Sequence, residues 1–173
     1  MAATRVLAAV ACLFLCVGVP TNAMGHVPNV ASFHLEEHEG AWQLTVQLST
    51  ARLHRALQHR YPDRNLSEAD LVEYEALLET MLRKGIRIRY DDAEVVLGDA
   101  TVVLAHHASE VHYAVPPLPA DAKKVAAHID VLDYDDEQQN VFRVIRGGAQ
   151  EHVVLSAKND FRDEIVLPVT PGK

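Results

Sequence analysis

The sequence predicts a mainly β chain, an antiparallel β-sandwich with a two-helix insertion after its first hairpin. Three observations carry this expectation. Apolar and polar residues alternate on both sides of Glu39-Gly40. The apolar period then lengthens to that of a helix over about residues 50–84. From residue 86 onward, short branched or alternating runs are separated by turn chemistry.

The elements follow in chain order. Phe33 and Leu35 on one side of Glu39-Gly40, and Trp42, Leu44, Val46 and Leu48 on the other, give a hairpin with one buried face. Leu53, Ala56, Leu57 and Tyr61 fall at helical spacing, and Pro62 stops them. A second helix is expected to start at Ser67, with Asp70 three residues on as a capping-box variant and Leu66 and Leu71 as its hydrophobic staple. Its stripe is Leu71, Tyr74, Leu78, Met81 and Leu82. Arg83 and Lys84 suit the negative end of the helix, and Gly85 closes it. Strands are expected at 86–90, 94–97, 101–106, 111–115, 125–132, 141–146, 152–157 and 165–169. Gly147-Gly148 is the pair a tight type I′ hairpin turn asks for.

The N-terminus predicts export. Arg5 precedes an unbroken small and apolar run from Val6 to Val19, and Pro20 and the small residues after it complete the pattern of a cleavable signal peptide. The run is shorter than the roughly 20 residues that span a bilayer, so no stable membrane insertion is expected after cleavage. Residues 1–23 form this signal, with a second acceptable cut after residue 25, and 24–173 form one domain. Both cysteines lie inside the signal, which leaves the mature chain without a disulfide or a cysteine metal cluster. The net charge of -8 argues against nucleic acid and against an anionic membrane surface as partner. A periplasmic or secreted location is expected.

Ten histidines are the compositional anomaly. Imidazole binds copper and zinc, so His26, His34, His38, His106, His107 and His112 are candidate metal ligands. Cleavage after residue 23 would make His26 the third residue of the mature chain, in a square-planar nitrogen site. Cleavage after 25 would make it the first. The string His34-Leu35-Glu36-Glu37-His38 matches the H-x-x-E-H pattern of inverted zinc peptidases, whose chemistry needs His34, Glu37 and His38 on a helix over 32–39. Alternation around Leu35 predicts a strand there instead. The acidic, amide-rich segment from Asp133 to Asn140 could offer oxygen ligands to calcium. It lacks the glycine and glutamate of the helix-loop-helix calcium pattern, and it reads as a turn whose amides tie down neighbouring backbone. No nucleophile elbow, phosphate loop or dinucleotide fingerprint is present, and the chain is not expected to be an enzyme or to need a cofactor.

The strand ending His128-Ile129-Asp130-Val131-Leu132, the Glu137-Gln138-Gln139-Asn140 string, the Gly147-Gly148 hairpin, Val153-Val154-Leu155 with Asn159-Asp160, and Ala51-Arg52-Leu53 with Ala56-Leu57 together resemble a family of small exported bacterial proteins. That family is classed only as a domain of unknown function. The resemblance implies a Gram-negative periplasmic or surface location and a β-rich fold with a helical insertion, and it implies no activity. The leading expectation is a non-enzymatic accessory or binding domain that contacts an unidentified envelope protein. A periplasmic copper or zinc binder is the alternative, and a zinc hydrolase the third reading.

Overall fold

The computed structural model describes residues 29–66 and 69–168. The expected signal peptide, His26 and Ser67 lie outside the described residues. The chain is mainly β, with two sheets and two helices inserted after the first hairpin.

Strands β1 (Val30–His38) and β2 (Ala41–Ser49) form that hairpin. Its turn residues Glu39 and Gly40 both carry positive φ, 52° and 84°, as a type I′ turn requires. Helix α1 (Thr50–Arg60) follows without a break and buries Leu53, Ala56 and Leu57. Helix α2 (Leu71–Gly85) then buries Leu78, Met81 and Leu82. This second helix begins later than the sequence suggested. Its cap is Asp70, whose Oδ1 accepts the Glu73 N–H at 2.8 Å. The first turn reaches past the core, so Leu71 and Val72 are 62% and 75% exposed and Leu71 is not part of the packed stripe.

The remaining strands are β3 (Ile86–Tyr90), β4 (Ala93–Glu94), β5 (Ala100–Leu104), β6 (Ala108–Ala114), β7 (Lys124–Ile129), β8 (Gln139–Arg146), β9 (Ala149–Ser156) and β10 (Arg162–Val166). One sheet runs β5-β6-β2-β1-β8-β9 and the other β10-β7-β3-β4. Among the described residues every pairing is antiparallel except one. β1 lies parallel to β8, so the expected antiparallel sandwich departs from that pattern at its centre. Alternation fixes which face a strand buries, not the direction of its neighbour. The expected strand over 94–97 is also cut short. The Val95 N–H still bonds the Ile88 carbonyl in register with β3, but beyond it the Arg83 guanidinium takes the Leu97 carbonyl at 2.6 Å and the Gly98 carbonyl at 2.5 Å.

The inner faces meet in one core. Phe33, Leu35, Leu44, Val46, Tyr113 and Phe142 come from the large sheet, Ile88, Val125 and Ile129 from the small one, and the helical leucines from α1 and α2. Gly85 joins α2 directly to β3. Its φ is not positive, and the need for glycine is spatial: a Cβ there would lie 3.0 Å from Asp130 Oδ1 and 3.1 Å from Val131 Cα.

Candidate functional site

The His34-to-His38 string is on β1, a strand, so the helix required by the peptidase reading is absent and that reading is overturned. Residues four apart on a strand stand about 13 Å apart. His34 sits mid-sheet, opposite Thr45 of β2 and Arg143 of β8, whereas His38 is exposed beside the hairpin turn. His106 and His107 meet edge to face in the β5–β6 turn, with ring centroids 4.5 Å apart. His112 is on β6, where the Gln43 side-chain amide donates to its Nδ1 at 2.6 Å and Thr45 Oγ1 lies 3.2 Å away. That bond leaves the His112 proton on Nε2, facing Glu110 at 3.5 Å. The structure therefore joins His106 to His107, but brings His34, His38 and His112 into no common cluster. Among the described residues, no three histidine, aspartate or glutamate side chains come together to hold a metal ion.

Pairing register aligns one polar row across the outer face of the large sheet: Thr101, His112, Thr45, His34, Arg143 and His152. Burial, and then the charge of Arg143, hold the His34 imidazole below its ordinary pKa. The contact between them is loose, 3.5 Å from an Arg143 terminal nitrogen to His34 Nε2. The Arg143 Nε is buried with no partner.

The small sheet carries an open depression of about 510 Å³ on its outer face, floored by Ala126 and Ala127 and edged by Arg87, Arg89, His128 and Arg162. Its charges are largely matched from within. Arg87 and His128 share Asp130 at 2.7 and 3.5 Å, Arg162 holds Asp160 at 2.7 Å, and Lys124 holds Glu164 at 3.0 Å. A second hollow, about 790 Å³, opens between α1, the start of α2 and the end of β5. Leu71, Tyr74, Leu104 and His54 line it, and the His54 ring stacks on Tyr74 with centroids 6.2 Å apart.

The four sheet edges differ in chemistry. β4 is two residues long and ends in Glu94. β10 begins Arg162-Asp163-Glu164, and β9 carries Glu151 opposite the core residue Val144, an inward-pointing charge. Short length and such charges are how edges are kept from pairing. β5 has neither protection. It reads Ala-Thr-Val-Val-Leu, with no charge, proline or glycine, and none of its residues is buried. The Ala114 N–H bonds the Asp99 carbonyl at 3.1 Å, so by antiparallel alternation Thr101 and Val103 bond β6. Ala100, Val102 and Leu104 then direct their N–H and C=O groups to the open side.

The Glu-Gln-Gln-Asn string leaves the expected turn and enters β8, with Glu137 and Gln139 exposed and the other two side chains turned inward as a strut. Gln138 and Asn140 are wholly buried. Gln138 Nε2 donates to the Gln139 carbonyl and to Asn140 Oδ1, both at 2.9 Å, and Asn140 Nδ2 donates to the Ile129 carbonyl at 2.8 Å. From α1, Arg52 donates to Gln138 Oε1 at 2.9 Å and reaches Asp135 at 3.4 Å. The amides do hold backbone as expected, and they tie α1 to the start of β8.

Sequence reasoning did not single out Arg143 or the β5 edge. A lone arginine in an alternating strand reads as solvent face. The missing charge in residues 100–104 was visible as composition, but it acquires meaning only once β5 is known to be an edge. In comparison with known proteins, no family model matches this chain and no curated protein matches it. Among the described residues, no helix is long and apolar enough to cross a membrane.

Proposed function

We propose that this protein is an exported, non-catalytic binding domain of the envelope that takes an extended segment of another exported protein as an added strand on β5. The observation that carries the reading is the contrast among the edges: three are blunted by charge or brevity, and among the described residues β5 alone is left bare. Strand addition draws affinity from main-chain hydrogen bonds and specificity from pockets for alternate side chains. The outward amides of Ala100, Val102 and Leu104 supply the former. The hollow where Leu104 meets Leu71 and Tyr74 offers room for one apolar side chain of the incoming strand.

Affinity capture from a periplasmic extract, repeated with Val102→Pro, tests the reading. Proline at an edge position whose N–H faces outward removes a donor from the open side and leaves the β6 ladder whole. The expected result is capture of a defined partner by the wild-type chain and by Val166→Lys on β10, and its loss with Val102→Pro. Hydrogen exchange should show the amides of 100, 102 and 104 protected only in the complex. Capture that survives Val102→Pro, or a complex that leaves those amides unprotected, would refute it.

A further inference from the structure

The second feature left without a task is centred on β8, four strands from β5, on the outer face of the large sheet. The chain has 24 acidic residues against 16 basic ones, so its arginines have carboxylates to spare. Six of them use these: Arg52, Arg60, Arg64, Arg83, Arg87 and Arg162 all sit in ion pairs. Of the rest among the described residues, Arg55 and Arg89 are exposed to water, and Arg146 donates to the Ala120 carbonyl. Arg143 differs from all of these. It is half-buried in an interior strand, its Nε has no acceptor, and one terminal nitrogen has only the 3.5 Å contact with His34.

The surroundings of Arg143 explain both its burial and its lack of a partner. Val141 and Ile145 flank it on β8, and Val154 stands on the diagonal from β9. Its row neighbours are two imidazoles, His34 on β1 and His152 on β9. Glu36, one row away opposite Ile145, influences His34 but forms no ion pair with Arg143. A guanidinium offers five N–H donors, and one taken partly out of water without an acceptor is costly. Arginine is among the residue types enriched at binding hot spots.

We propose that this face carries a binding site for an oxyanion group, a carboxylate or a phosphoryl group, centred on Arg143 and flanked by His34 and His152. The terminal nitrogens of Arg143 take two oxygens of the group as a fork, displacing the loose contact with His34 Nε2, and the His152 imidazole N–H donates from the other side. Val141, Ile145 and Val154 cover whatever apolar body the group is attached to. The site is independent of strand addition at β5, because β6 and β2 lie between them.

NMR titration of the Arg143 Nε–H and the His34 and His152 rings tests the site, with potassium phosphate and potassium acetate added in turn against potassium chloride at constant ionic strength. A saturating shift at these three residues is expected with phosphate or acetate and not with chloride. Saturation by acetate alone assigns a carboxylate ligand, and saturation by phosphate alone a phosphoryl group. Arg143→Gln should weaken binding at least about tenfold, and Arg143→Lys several-fold, since an ammonium cannot reproduce the fork. His152→Gln, at an exposed position, gives a second variant that weakens binding without touching the core. Shifts that do not saturate, that chloride reproduces, or that all three variants leave unchanged would overturn the proposal.

Discussion

Replacing Asn140 with alanine should unfold this domain far more readily than any surface change, and the size of the loss follows from its bonds. The Asn140 amide is fully enclosed, donating to the Ile129 carbonyl at 2.8 Å and accepting from Gln138 Nε2 at 2.9 Å. Each such bond contributes about 1 kcal/mol net, and a buried group left without its partner costs about 1–3 kcal/mol more. Gln138 keeps its second acceptor, the Gln139 carbonyl, which limits the damage on that side. The expected loss is about 2–4 kcal/mol, a fall in Tm of about 5–15 °C for a domain of this size. Urea unfolding measures it as a lower midpoint at unchanged slope. Arg52→Ala removes the other support of Gln138, so the double variant should lose less than the sum of the two single losses, by about 0.5–3 kcal/mol. A loss below about 0.5 kcal/mol for Asn140→Ala, or strict additivity with Arg52→Ala, would refute the strut.

Three further outcomes are expected. Gly85→Ala should destabilise by about 1–3 kcal/mol in thermal unfolding, against the usual helix preference for alanine, because the new Cβ meets Asp130 and the Val131 backbone at 3.0–3.1 Å. Tyr113→Phe should be neutral or stabilising in urea, since the phenol is buried with its oxygen unpartnered while the ring keeps Arg83 5.1 Å from its centre; a loss above about 1 kcal/mol would contradict this. For pH, burial and Arg143 lower the folded-state pKa of His34, so the unfolded chain takes up that proton first. His34 thus contributes no penalty above its ordinary value of 6.5, and stability falls as pH drops below it until the folded His34 also protonates. Comparing unfolding free energies at pH 7.5 and 5.5 should show a shallower acid loss in His34→Gln than in the parent.

Much of the fold was legible because short-range periodicity encodes it. The first hairpin, α1, the packed body of α2 and the Gly147-Gly148 turn all stand where their spacing put them. The start of α2 was not legible, because Ser67 and Asp70 are both good caps and only the exposed positions of Leu71 and Val72 show which turn packs. The β1–β8 pairing was not legible either, since His34 and Arg143 are 109 residues apart and nothing local joins them. Among the described residues, the histidines are close in sequence without converging in space. On strands, that proximity spreads them along the sheet instead. The functional features that remain, a bare edge and an unpaired arginine, are properties of neighbours, which a single strand's sequence does not contain.

The parallel contact between β1 and β8 also orders events in time. A chain delivered N-terminus first can close the β1–β2 hairpin at once, since that loop is two residues long. The other side of β1 must wait until some hundred later residues have followed, and pairing at such separation is intrinsically slow. Throughout that interval Phe33 and Leu35 belong to an exposed edge rather than to the centre of a sheet. Until β8 arrives, that side of β1 is therefore an open edge to which another nascent chain can pair.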